Sequence, residues 1–143
     1  MPIEAVNLNL TVCWIRPTTA GQLPYRWGDS TKASYDAHWN RSDLIYRWVR
    51  SSDCAVAYIG IPKQQDLSGR ISKYIRGKSY KSSSPNRKVY DEAQRLAQVN
   101  DLLFLEIADQ ISGYNLAALR ERCLAEALLC GYSRPYLQCQ EPA

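Results

Sequence analysis

The first sustained pattern along the chain is alternation. Leu8, Leu10, Val12 and Trp14 interleave with Asn7, Asn9 and Thr11, a period of two that predicts a strand over residues 6–15. Pro17 ends it. Residues 17–42 hold no steady period and read as loop, with one or two helical turns around Lys32–Trp39. Residues 43–61 read as a hairpin. Leu44–Val49 and Ala55–Ile61 favour β structure, and Arg50-Ser51-Ser52-Asp53 supplies the turn. A turn centred on Ser52 places Tyr46 opposite Tyr58 on one face, whereas a one-residue slip would separate them.

Helical spacing begins at residue 66. Asp66 is a suitable cap, and Leu67, Ile71, Tyr74 and Ile75 form one stripe over residues 66–76, with Arg70 at its edge. Residues 77–86 are a basic, Ser-rich loop. A second helix is expected from Asn86 to Gln98, a buried strand over Leu102–Ile107, and a last helix from Leu116 to Leu129. The last helix shows Leu116, Leu119, Cys123, Ala127 and Leu128 as its apolar face, Glu126 at the border and Glu121 toward water. Gly131 is expected to end it. The order is β-β-α-α-β-α with an extra N-terminal strand. This predicts an α+β fold, a small antiparallel or mixed sheet flanked by helices. It divides into an N-terminal arm (1–42) and a core (43–143).

At 143 residues the chain suits one domain with a real core. No apolar run has the length of a membrane span, and no leader pattern opens the sequence. These readings point to a cytoplasmic protein with no membrane partner. The cysteines (Cys13, Cys54, Cys123, Cys130 and Cys139) lack CxxC spacing, and His38 is the only histidine. Buried, reduced thiols are expected rather than a zinc cluster. The net charge of +4 is mild, but its placement is not. No acid lies between Asp66 and Asp91, where Arg70, Lys73, Arg76, Lys78, Lys81, Arg87 and Lys88 gather. Such a block suits a polyanion, although on charge alone a solvated, lysine-rich surface is the simpler reading.

The candidate chemistry lies in an ordered set. Leu44-Ile45-Tyr46 and Ala57-Tyr58-Ile59-Gly60 occupy the hairpin, Arg70 and Tyr74 stand one helical turn apart, and Glu126 comes much later, before Arg134-Pro135-Tyr136-Leu137-Gln138. The set resembles the GIY-YIG nuclease superfamily over residues 43–139, with Leu44 where the first motif has glycine and Gln138 where the closing residue is asparagine. The Tyr58–Arg70 spacing is slightly longer than the commonest pattern.

The resemblance implies a metal-dependent DNA endonuclease leaving 5′-phosphate and 3′-hydroxyl ends. Tyr46 would take the proton of the attacking water. Tyr58 and Tyr74 would orient water and phosphate, with Lys63 assisting. Arg70 is the natural phosphate clamp. Glu126 would hold one Mg²⁺ or Mn²⁺, an ion that commonly uses one or two carboxylates and keeps several waters. Lys73, Arg76, Lys78, Lys81, Arg87 and Lys88 would contact duplex phosphates. Any reading of sequence would fall to loops, either Arg16, Tyr25, Arg26, Trp27, Lys32, Trp39 and Arg41 around residues 17–42 or the Ser-rich loop 77–86; the simpler reading makes residues 1–42 one more strand and a cover for the sheet edge. A single-site monomer nicks; a double-strand break needs a homodimer or two visits. Three other readings remain open: a non-catalytic nucleic-acid-binding module, an RNA-directed nuclease or toxin, and a small interaction protein.

Overall fold

A computed structural model describes residues 10–19, 23–30 and 36–138 of the chain. The elements are β1 (Ile45–Arg50), β2 (Val56–Gly60), α1 (Leu67–Ile75), α2 (Pro85–Ala97), β3 (Leu103–Ala108) and α3 (Leu119–Ser133), with 3₁₀ turns at Ala37–Asn40 and Gly77–Ser79. The architecture is α+β, and the core follows the expected β-β-α-α-β-α order. Its three strands form an antiparallel sheet in the order β2-β1-β3. No described helix is long and apolar enough to cross a membrane.

Local chemistry explains the helix starts. Gly69 N–H donates to the Asp66 carboxylate at 2.8 Å, the cap expected for α1. Ser84 caps α2 and Pro85 takes its first turn, where a missing N–H costs nothing. The hairpin differs from its expected register. Tyr46 faces Gly60 and Trp48 faces Tyr58, then the pairing slips so that Val49 faces Val56. The turn is not centred on Ser52: Arg50 N–H donates to Ala55 at 2.8 Å and Cys54 adopts φ +60°. Ala57 is then left as an extra residue, a bulge that shifts the register again. Near Gly60 the total displacement is even, so Tyr46 and Tyr58 still share one face.

That face is covered by α1 and α2. Tyr46, Trp48, Leu105 and Ile107 pack with Leu67, Ile71, Tyr74, Val89 and Leu96. On the other face, Ile45, Ile59 and Ala108 meet Ala125 and Leu129 of α3, with Leu10, Val12 and Trp14 against them. The expected N-terminal strand is not continuous. Residues 6–9 lie outside the described residues, and the rest makes only isolated bridges, Val12 with Ile111 and Ile15 with Ile107. It caps the β3 edge, since Ile15 and Ile107 exchange N–H···O bonds of 2.8 and 2.7 Å.

Three further expectations fail. Cys13, Cys54 and Cys123 are exposed rather than buried, and Cys139 lies outside the described residues. The buried side of α3 is Arg122, Ala125 and Leu129, while Leu119, Cys123, Ala127 and Leu128 face out. The helix is turned because β2 and its cluster take the Ala125–Leu129 edge. It also runs on through Gly131 to Ser133, and the left-handed residue that ends it is Arg134 at φ +48°.

Arg122 ties α3 down. Although only 6 % exposed, its guanidinium donates to the Ser42 and Pro62 carbonyls, the latter at 2.8 Å. Replacing it with leucine removes both bonds and strands the buried Pro62 carbonyl. Arg122→Leu is expected to lower stability by about 2–4 kcal/mol, because the lost charge-assisted bonds and the buried unpaired carbonyl both count. A urea unfolding midpoint close to the parent's would refute this.

Candidate active site

The three tyrosines converge. Tyr46 projects from β1, Tyr58 from β2 and Tyr74 from the last turn of α1. The Tyr46 and Tyr74 hydroxyls are 2.7 Å apart. The rings meet edge to face, with centroids 5.9 Å apart for Tyr46–Tyr74 and 6.0 Å for Tyr58–Tyr74. The Arg70 guanidinium lies 4.1 Å from the Tyr74 ring centroid, and donates to Asn86 at 2.5 Å. Burial favours the cation–π contact, since neither group is fully hydrated there.

The glycine of the second motif has a mechanical reason. A Cβ at Gly60 would stand 2.5 Å from the Tyr46 hydroxyl and 2.7 Å from its Cζ. Tyr46 lies across the β2 backbone at its own register partner. The ring is 1 % exposed, so it has nowhere to retreat. Gly60→Ala is expected to cost about 1–3 kcal/mol by overpacking and to displace the Tyr46 hydroxyl from Tyr74. Near-ultraviolet circular dichroism and thermal melting would detect both, and unchanged spectra with an unchanged melt would refute the contact.

Burial shapes the electrostatics. It pushes the Tyr46 phenol well above the usual tyrosine range, against a smaller downward pull from Arg70 and Tyr74. Tyr74 is raised by burial and by Tyr46, and Arg70 again opposes. Tyr58 is raised by burial, drawn down by Arg70 and raised again by Glu126. All three are neutral phenols at neutral pH. For Tyr46 the burial outweighs the downward pull of Arg70.

Glu126 belongs to the same electrostatic group. Burial raises its carboxyl, while Lys63 and then Arg70 pull it down. It forms no ion pair with Arg122, whose bonds go to backbone carbonyls. The described residues hold no group of three metal-ligating side chains. A cation on Glu126 would take its remaining ligands from water and from a phosphate, an arrangement suited to Mg²⁺. The half-buried carboxylate, which has no hydrogen-bonded cation among the described residues, fits that ion.

The remaining candidates divide. Gln138 is not aimed at the tyrosines. Its amide brackets the Ile59 backbone, accepting from Ile59 N–H and donating to Ile59 O, both at 2.8 Å. It closes the open edge of β2 and is a structural clasp. Lys63, Arg76, Lys78, Lys81 and Lys88 are exposed and Lys73 is half-buried. Arg87 is engaged instead, pairing with Asp91 at 2.8 Å and donating to the Lys78 carbonyl at 3.1 Å. It organises the α1–α2 connection.

Where it is described, the N-terminal arm packs into the fold. Tyr25 and Trp39 are fully buried in the core of the tyrosine face. Trp27 packs on Trp48 at 5.2 Å. Arg16 pairs with Glu106, Arg26 with Asp29, and Arg41 with Asp43 and Asp109. Lys32 lies outside the described residues. The arm completes the fold rather than extending from it.

Asn86 and Arg122 were not singled out in the sequence. Asn86 opens α2 and holds Arg70, yet an asparagine after Ser-Pro signals only a helix start. A cavity of about 540 Å³ lies elsewhere, lined by Cys13, Asp43, Asp109 and Tyr114 among others. Its acids are neutralised by Arg41, and Asp109 also meets His38 at 3.3 Å, so it shares nothing with the tyrosine cluster. A scan of protein-family models, a search of curated proteins and a search of solved structures each returned no match for this chain.

Proposed function

We propose that this chain is a metal-dependent DNA endonuclease of the GIY-YIG type, hydrolysing phosphodiester bonds. The single observation that supports it most is convergence. Tyr46, Tyr58, Arg70, Tyr74 and Glu126 come from four separate elements, and they influence one another's protonation in one place. Packing alone has no need for an arginine and a carboxylate beside three phenols, because buried charge is costly.

In this reading Arg70 receives the phosphate. Asn86 and the Tyr74 ring fix its plane, so that two parallel N–H groups can face an anion. Tyr46 takes the water proton. Arg70 already favours its phenolate, and a divalent cation on Glu126 would add a second positive charge and stabilise the leaving oxygen. Tyr58, the least buried of the three, orients the water. Lys63 balances Glu126. The exposed lysines of the α1–α2 connection hold the backbone of the duplex, which makes affinity fall with salt. A non-catalytic nucleic-acid-binding module is the competing reading, and what favours it is the complete burial of Tyr46.

The test is direct. Supercoiled plasmid is incubated with the protein in Mg²⁺ or in chelator, beside Glu126→Ala. Nicking by the parent in Mg²⁺ alone is the expected result. Binding without cleavage in any divalent metal would establish the module instead, and cleavage of an RNA duplex but not of plasmid would move the substrate class.

A further inference from the structure

Arg70 is held differently from the other engaged arginines of this domain. Arg41, Arg47, Arg50, Arg87 and Arg95 each pair with a carboxylate. Half-buried Arg70 forms no ion pair among the described residues. Its Nη1 donates instead to a neutral amide, Asn86 Oδ1, at 2.5 Å. Asn86 is itself only 9 % exposed. Its side chain is not needed to start α2, because Ser84 Oγ accepts from the Asn86 N–H at 3.1 Å and serves as the cap. An aspartate at this position would bond the guanidinium more strongly and would favour the positive end of the helix. The amide makes the weaker contact and leaves the charge of Arg70 uncancelled.

Close backbone packing sets the place of Asn86. A Cβ at Gly77 would stand 2.5 Å from the Tyr90 Cβ and closer still to the Asn86 carbonyl oxygen. Neither atom sits at the free end of a side chain, so neither can swing away. Gly77 is not among the residues with positive φ, so contact rather than conformation requires glycine here. The 3₁₀ turn is pinned further. Tyr80 N–H donates to Gly77 O at 3.1 Å, Ser84 N–H to Lys81 O at 2.9 Å and Arg87 Nη1 to Lys78 O at 3.1 Å. The connection that carries exposed Lys78 and Lys81 is thus seated on the residue that holds Arg70.

We infer that Asn86, seated by Gly77, is a positioning residue that fixes the Arg70 guanidinium without neutralising it, so that Arg70 and the lysines of the α1–α2 connection meet a phosphodiester backbone at a set spacing. This role rests on Arg70 being the phosphate clamp of the proposed nuclease. A tie between two helices has no use for neutrality: for that purpose alone aspartate would serve at least as well. An anion site requires it, because a carboxylate on Arg70 competes directly with the phosphate.

The test is thermal melting of the full chain without divalent metal, in inorganic phosphate against chloride at equal ionic strength. Phosphate should raise the parent's melting temperature with the logarithm of its concentration. Asn86→Asp should melt no lower than the parent in chloride, yet keep only the weak phosphate response of Arg70→Ala, with affinity reduced at least about tenfold. Asn86→Ala should also bind about tenfold more weakly, and it decides the matter if the aspartate variant misfolds. Gly77→Ala should melt lower and lose affinity with it. A parent without a phosphate response, an aspartate or alanine form at position 86 that binds phosphate as tightly as the parent, or a Gly77→Ala form with the parent's melt and affinity would each overturn the role. Phosphate binding that depends on Asn86 in a protein that never nicks plasmid would refute the nuclease and leave the role standing. Nicking by Asn86→Asp at the parent's rate would do the reverse.

Discussion

Tyr46→Phe is expected to lower the cleavage rate by about 10²–10⁴-fold, the usual range for a lost general base, while DNA affinity stays within about twofold. The substitution removes one oxygen and keeps the ring, so its packing against Tyr74 and over Gly60 survives. The Tyr74 hydroxyl loses its 2.7 Å partner, at a cost of about 1 kcal/mol, too little to unfold the domain. The pH profile separates a base from a mere hydrogen-bond donor. Burial holds the phenol above its ordinary value of 10.0. Throughout the neutral range the phenolate fraction therefore grows about tenfold per pH unit. The parent's log rate should rise with a slope near one from about pH 6 to about pH 9, and the phenylalanine variant should lose that slope. A parent profile that is flat over the same range would remove Tyr46 as the base, leaving it a positioning role. Unchanged cleavage by the variant would remove it altogether.

What was legible in the sequence followed from local rules. The Asp66 cap, the Ser84-Pro85 start and the apolar stripe Leu67–Ile71–Tyr74 depend only on neighbours three or four residues away. The face shared by Tyr46 and Tyr58 was legible because an error of two residues in register leaves a face unchanged. The bulge at Ala57 was not, since no residue type there demands one. The rotation of α3 was missed for a different reason. Leu119, Cys123, Ala127 and Leu128 make a credible apolar stripe, but the domain buries the Arg122–Ala125–Leu129 side, where the β2 cluster takes Ala125 and Leu129 and Arg122 finds the Ser42 and Pro62 carbonyls. Partners 60 and 80 residues away in sequence are invisible to periodicity. The same limit applied to the site. Arg70 was found through its spacing to Tyr74, whereas Asn86, which orients it, belongs to another helix. Gln138, found by its place at the end of the motif set, closes onto the Ile59 backbone, a partner 79 residues away that its neighbours do not reveal.

Glu126→Gln is expected to abolish cleavage and, in the absence of metal, to raise the melting temperature. Burial lifts this carboxyl above its ordinary 4.5, although Lys63 and Arg70 pull the other way. A folded-state value above the unfolded one means that the native protein binds more protons between the two. Its stability therefore falls as pH rises through that window, and the whole loss is carried at neutral pH. Glutamine keeps the shape and removes the charge, so the variant should melt above the parent at about pH 7. The difference should vanish below about pH 4, where the acid is protonated in both states. Mg²⁺ should reverse the order. An ion that binds only the folded carboxylate raises the parent's melting temperature in proportion to the logarithm of its concentration, and should leave the glutamine form unmoved. The two effects belong together, because a carboxylate held partly out of water without a bonded cation is unfavourable until one arrives. Melting curves that coincide at neutral pH, or equal stabilisation of both proteins by Mg²⁺, would show that Glu126 is an ordinary surface acid of α3 and that the proposed reaction has no place to hold its ion.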